Sequence, residues 1–276
     1  MRSIWMLIAL TALSACAHAQ WLNQPSPGTP RTRDGQADLS ARAPRTSRGR
    51  PDLSGIWEPE SATREELLGF FFDGINNIGE DSPSRYFMNI LFDFKPGDSP
   101  LRASAVPLFQ EHRRGLAKDI SSTRCLPFGL PLVDTAASPY KIVQTPSEIL
   151  MLYEQNTSFR QIFLDGRKLP ADPQPSWMGY SVGRWDDDAL IVDTIGFNDR
   201  SWLDAFGHPH SEAMRVTERF HRRDFGHMEL QITVDDAEMY TRPFTIKLNL
   251  RLFPDTDVIE TFCSENERDL RHMPRK

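Results

Sequence analysis

The chain's densest run of chemistry-bearing residues is Asp193-Thr194-Ile195-Gly196-Phe197-Asn198-Asp199, followed by Trp202, by Gly207-His208-Pro209-His210-Ser211-Glu212 and by Glu218. In an extended segment successive side chains alternate, so His208, His210 and Glu212 project to one side. Two imidazoles and a carboxylate on one face are a three-ligand set for a divalent metal, Zn²⁺ or Fe²⁺, with positions left open for water or substrate. The competing reading is a polar surface loop between two strands, its histidines hydrogen-bonded to backbone.

Glu218 stands out for a different reason. Met214, Val216 and Phe220 define the apolar face of its segment, and a period of two puts Glu218 on that same face. A carboxylate there is desolvated unless paired, which raises its pKa and makes it a candidate general acid or base. By the same parity Asp193 shares a face with Ile191 and Ile195. Two inward carboxylates on neighbouring strands could share a water, a cation or an arginine such as Arg160; the alternative is a buried ion pair that fixes strand register. His208, His210, Glu218 and Asp193 are therefore the candidate catalytic residues, for hydrolysis, hydration or isomerisation with or without a metal. Tyr153, Trp177, Trp185, Trp202 and Phe244 could line an apolar pocket or be plain core. The candidate ligand contacts are Tyr153, Arg160, Trp185, Asn198, Asp199 and Trp202. Ser211 lacks a G-x-S-x-G setting. No GxxxxGK, GxGxxG, HExxH or EF-hand loop occurs, which leaves nucleotide, dinucleotide and zincin chemistry without a motif.

What must hold these residues is a sheet. Phe244, Ile246, Leu248, Leu250 and Leu252 alternate with Thr245, Lys247, Asn249 and Arg251, and Met228, Leu230, Ile232 and Val234 alternate with Glu229, Gln231 and Thr233, as in half-buried antiparallel strands. Similar runs occur at Lys141–Thr145, Ile149–Gln155, Phe159–Leu164, Tyr180–Trp185, Ala189–Ile195, Met214–Arg222 and Asp257–Cys263, separated by turn signals such as Asp165-Gly166 and Phe225-Gly226. Consecutive strands with short loops describe an antiparallel up-and-down meander, and a sheet that long loses its edges by closing into a β-barrel. Asp52 to Trp57 is a short opening strand. From Ser61 to Asp119 the pattern turns helical: Thr63-Arg64-Glu65-Glu66 has capping-box spacing, and Pro107 suits the first turn of a helix through Leu108, Phe109 and His112. The expectation is a mainly β chain, with one barrel domain over 52–276 and a mostly helical N-terminal insertion at about 61–119.

Ahead of that domain, Met1 and Arg2, the apolar run Ile4 to Leu13 and the small residues from Ser14 have the layout of a signal peptide over 1–19. The apolar run is too short for a permanent span, which needs about 20 residues. Leu13-Ser14-Ala15-Cys16 fits the lipobox of bacterial lipoproteins, giving a lipid on Cys16 and a membrane-anchored protein at the periplasmic side of the outer membrane. Ala17-His18-Ala19 fits ordinary cleavage and a soluble periplasmic or secreted product. Both routes leave Cys125 and Cys263 of the three cysteines; outside the cytoplasm they form a disulfide, unless they are two separate buried thiols. Residues 20–51 are rich in Arg and Pro and nearly free of large apolar side chains, and are expected as a disordered tether whose arginines could touch anionic head groups. The net charge of −6 argues against a nucleic-acid partner.

Gly55-Ile56-Trp57, just ahead of the meander, resembles the G-x-W signature of lipocalins. That resemblance implies a calycin-like barrel binding a small apolar or amphipathic molecule. The segments Asp-Leu-Ser-Gly-Ile-Trp at 52–57, Pro-Tyr-Lys-Ile-Val-Gln-Thr-Pro at 139–146, Asp-Thr-Ile-Gly-Phe-Asn-Asp at 193–199 and Glu-Arg-Phe at 218–220 are similar to a group of exported bacterial proteins, a likeness that carries no chemistry. Small-molecule binding is the leading expectation, and an envelope enzyme built on the histidines and an inward carboxylate is the alternative.

Overall fold

The computed structural model describes residues 24–68, 84–95, 97–114 and 120–263. The expected export signal with Cys16 lies outside them, as does the aromatic run at 70–72.

Nine strands follow one another around a closed barrel: β1 (Gly55–Pro59), β2 (Tyr140–Gln144), β3 (Glu148–Tyr153), β4 (Ser158–Phe163), β5 (Tyr180–Asp186), β6 (Ala189–Ile195), β7 (Arg215–Arg222), β8 (His227–Asp235) and β9 (Phe244–Leu252). Alternation drives their formation. In β8 and β9 every second residue is buried and the residues between are polar and more exposed. The expected strand at Asp257–Cys263 does not form; β9 instead closes on β1. Side chains hold that last stretch, with Lys141 Nζ donating to Asp257 (2.8 Å) and the Ile259 N–H donating to Glu154 Oε1 (3.0 Å).

The all-antiparallel expectation fails at one place, for a reason of parity. Strand direction flips at each antiparallel step, so a closed ring of such steps needs an even number of strands. With nine, at least one neighbouring pair must run parallel. That pair is β4 and β5, and it is short, joining only Ile162 to Ser181 and Phe163 to Val182. The chain returns over 164–179 to start β5 in the direction of β4, and the other neighbouring pairs are antiparallel. The lumen is filled: Trp57, Tyr140, Met151, Tyr153, Phe220, Leu230, Ile232 and Leu248 are all buried in one continuous core. Trp57 donates through Nε1 to the Leu53 carbonyl (2.9 Å), and the Arg222 guanidinium lies 4.9 Å over its ring.

Between β1 and β2 the described chain is helical in short pieces: α1 (Arg64–Leu68), α2 (Arg85–Met88), α3 (Val106–Arg114) and α4 (Leu132–Thr135). The capping box forms at α1, where the Thr63 N–H donates to Glu66 Oε2 (2.8 Å) and the Glu66 N–H to Thr63 Oγ1 (3.2 Å). Pro107 occupies the first turn of α3, where its missing N–H costs nothing. All four residues of α4 are buried, and Ser84 ties it to α2 by donating to the Thr135 carbonyl (2.8 Å). Cys125 and Cys263 sit at disulfide distance, with Cα atoms 5.4 Å apart.

Residues 24–51, expected as a disordered tether, instead have defined hydrogen bonds and lie on the barrel. The reason is a repeat at a spacing too short for a solenoid: Pro30-Arg31-Thr32 with Gly35 and Asp38-Leu39-Ser40 recurs as Pro44-Arg45-Thr46 with Gly49 and Asp52-Leu53-Ser54. Each copy folds into the same tight hairpin. The Thr32 and Asp38 N–H groups donate to the Gln36 and Pro30 carbonyls (2.8 and 2.9 Å), and those of Thr46 and Asp52 to Arg50 and Pro44 (2.8 and 3.0 Å). The arginine of each copy then grips a loop with both guanidinium nitrogens, Arg31 on Asp255 and Arg45 on Asp188. Polar latches replace the apolar residues whose scarcity suggested disorder.

Candidate functional site

Glu218 faces inward on β7 and is fully buried, as its parity requires, and its partner is Arg160 on β4. The guanidinium meets both carboxylate oxygens, Nη1 donating to Oε1 at 2.9 Å and Nη2 to Oε2. Its remaining donors reach Ser181 Oγ (Nε, 3.0 Å) and Thr194 Oγ1 (Nη2, 2.9 Å), so four strands share one buried cation. The cluster has a member that the sequence did not signal. Buried α4 brings Asp134 to Tyr153, whose hydroxyl donates to Oδ1 (2.8 Å), and Asp134 Oδ2 stands 4.0 Å from Arg160 Nη1. Burial, then the nearby Glu218 charge, push the Asp134 carboxyl up to about 7. Burial also works against the Arg160 cation, but Glu218 outweighs it and the guanidinium stays above its ordinary range. Two carboxylates against one guanidinium leave an excess negative charge in a dry interior, and a proton on Asp134 removes it. Asp134 Oδ2 and the Tyr140 hydroxyl have no hydrogen-bond partner among the described residues.

The second polar cluster lies in the long loop between β6 and β7, under α3. His208 Nδ1 bonds Asp204 Oδ2, which also accepts from the Ile90 N–H (2.7 Å), while Oδ1 accepts from the N–H groups of Gly207 and His208 (2.9 and 3.1 Å). Phe109 stacks on the His208 ring at 4.4 Å, and His112 stacks on Trp202 at 4.5 Å. Gly207 has φ +95°, and a Cβ there would come within 2.6 Å of His112 Cβ, so glycine is required for α3 to close over the loop. His210 sits deeper. Its Nδ1 lies 3.2 Å from the Ser211 carbonyl oxygen and its Nε2 2.8 Å from Ser201 Oγ. Burial lowers its pKa, so the ring is neutral. Asp236 fixes the turn behind it, accepting from both the Ser211 N–H (2.6 Å) and Ser211 Oγ (2.9 Å).

Several expected groupings do not assemble. Asp193 points outward, accepting from Arg184 and from Thr217 Oγ1, while Leu190, Val192 and Thr194 point in. The run Ala-Leu-Ile-Val-Asp-Thr-Ile is apolar at both parities, so alternation alone could not set its face. Glu212 is exposed while His208 and His210 are buried, and among the described residues no three His, Cys, Asp or Glu side chains converge as a metal set. The chain turns at Glu212 and Ala213, where the Met214 N–H donates to the Ser211 carbonyl, and this carries Glu212 to the surface, away from the two histidines. The partners of His208 and His210 do not overlap with those of Glu218. Of the candidate ligand contacts, Tyr153 and Arg160 meet in the interior cluster, Trp202 is buried on His112, and Asp199 is exposed. Trp185 lines a separate cavity of about 420 Å³ with Leu164 and Gln144. Asn198 stays in the loop, accepting from the Arg200 N–H (3.1 Å).

One cavity borders the strands that carry Arg160 and Ser181. At the short β4–β5 seam a cleft of about 450 Å³ opens between Asn156–Gln161 on one side and Ser176–Ser181 on the other. Its lining includes outward Phe159 and Tyr180 together with Arg160 and Ser181, whose side chains are buried on the inner face. Phe159 is 64% exposed, unusual for a large apolar side chain, and Phe163, Trp177 and Met178 complete an apolar rim. A larger cavity of about 640 Å³ is lined by residues 24–29, by β1 and β2, and by Arg222 and Leu252. Compared with family models, curated proteins and solved structures, the chain matches none.

Proposed function

We propose that this is an exported, lipid-anchored, lipocalin-like protein that binds a small amphipathic molecule, and that it does so in the β4–β5 cleft rather than in the lumen. The observation that carries the reading is the composition of that cleft: an apolar rim set beside the strand residues Arg160 and Ser181, in a volume within the range of small-molecule sites. The ligand's apolar body packs on Phe159, Phe163, Trp177 and Met178, and its polar end reaches Ser181 and the edge of the Arg160 cation. The described side chains inside the barrel form one continuous hydrophobic core. The lipobox supports anchoring at Cys16 in the cell envelope, and the pairing of Cys125 with Cys263 suits an oxidising compartment.

Titration of the purified protein with anilinonaphthalene sulfonate and with lauric acid, read by tryptophan fluorescence, tests this directly. Saturable one-site binding that Met178→Glu and Phe159→Glu weaken at least tenfold is expected. Absence of saturable binding, or binding indifferent to both substitutions, would refute the cleft as the site.

A further inference from the structure

The Ser201–His210 contact has a fixed hydrogen-bond direction. A carbonyl oxygen only accepts, so the Ser211 carbonyl requires the hydrogen on His210 Nδ1. In the neutral ring Nε2 then holds the lone pair, and Ser201 Oγ must donate to it across 2.8 Å. This is the arrangement of a hydroxyl nucleophile and its general base, with the base oriented from behind by a third group. Here that third group is a main-chain carbonyl, and Asp236 holds it in place through the N–H and hydroxyl of Ser211.

Two further features lie beside this pair. The main-chain N–H groups of Ser201 and Trp202 have no main-chain acceptor among the described residues. Gly129 faces Ser201 without a side chain. With φ +73°, a Cβ on it would fall 2.6 Å from Ser201 Oγ and 3.1 Å from the Trp177 carbonyl oxygen. Gly129 therefore packs against both the Ser201 hydroxyl and the Trp177 main chain.

We propose that Ser201 is an acyl-accepting nucleophile, with His210 its general base and Asp236 a positioning residue, and that the protein hydrolyses an ester carried by an amphipathic molecule. The choice of an amphipathic substrate rests on the cleft reading; the nucleophile does not. In the first step Ser201 Oγ bonds to the ester carbonyl carbon as its proton passes to His210 Nε2. The carbon–oxygen bond to the alcohol breaks and the alcohol leaves with that proton. Water then attacks the acyl-serine, giving one proton to His210, which returns it to Ser201 as the acid departs.

The test uses the folded full chain with an alkyl fluorophosphonate and with 4-nitrophenyl butyrate. The phosphonyl group should appear on Ser201 by peptide mass spectrometry, with fluoride released. Nitrophenolate release should fall roughly 100-fold or more in Ser201→Ala and in His210→Gln, with melting temperatures unchanged. Asp236→Asn should lower kcat while leaving KM near the parent value, since Asp236 touches no substrate. No label on Ser201 in the folded parent, or label on another residue, overturns the proposal even if a variant fails to fold. Intact anilinonaphthalene binding without Ser201 labelling removes this inference alone, whereas labelling without that binding removes the cleft reading alone.

Discussion

At the scale of single residues, the interior carboxyl of Asp134 makes the sharpest prediction. Its pKa is raised to about 7 from an ordinary 3.8, so the folded state holds a proton that the unfolded chain releases. A group raised on folding contributes stability that is fully present below the unfolded value and lost as pH rises through the folded one. The expected result is that the melting temperature of the parent, relative to Asp134→Asn, declines between about pH 4 and pH 7. Asparagine keeps an acceptor for Tyr153 and carries no charge, so the variant should lack this component of the slope, and parallel curves would show that Asp134 does not titrate in that window. Glu218 was legible in the sequence because Met214, Val216 and Phe220 fix its parity, and Arg160 was nameable as a partner. Asp134 was not, because a one-turn helix presents no period to read. Ser201 and Asp204 were equally silent: a lone serine in a loop, and an aspartate whose histidine partner four residues on matters only once the chain turns at Ala205 and Phe206.

At the scale of elements, alternation marked all nine strands, but it also marked 257–263, and the extra segment made the count even and hid the parallel step. An odd count forces a parallel step in a closed ring, and the weak seam follows. Its place was not legible from connection length, because the longer 196–214 connection joins an antiparallel pair. The N-terminal repeat shows the opposite limit. Hydrophobic content reads tether, while two copies of a Pro-Arg-Thr hairpin, each with an arginine on a barrel aspartate, read latch. Exposed ion pairs of this kind are individually weak, so the hairpins depend on the backbone bonds as well. Hydrogen exchange separates the two descriptions. The amides of Thr32, Asp38, Thr46 and Asp52 should exchange at least about tenfold more slowly than an unstructured chain, and Arg45→Ala should release Thr46 and Asp52 without affecting Thr32 and Asp38. Free-chain rates at all four would restore the tether.

At the scale of the whole molecule, the Cys125–Cys263 pair joins parts that the sheet leaves apart. Cys263 lies beyond β9, where the described chain is held by contacts such as the Thr261 N–H on Thr157 Oγ1 (3.0 Å). Cys125 lies just before α4, the element that carries Asp134 into the barrel. With a sequence separation of 138, closing the loop is worth up to about 5 kcal/mol in the chain-entropy account. Reduction, or the double variant Cys125→Ser with Cys263→Ser, should therefore lower the melting temperature by about 10 °C or more, while the hydrogen-bonded barrel still folds. Because the same bond restrains the approach to α4, its loss should also reduce the pH-dependent difference between the parent and Asp134→Asn, as water gains access to the carboxyl. A reduced protein that melts lower but keeps the full pH signature would mean that α4 is held by its own packing through Ser84 and Thr135, and that the disulfide secures only the chain's final segment.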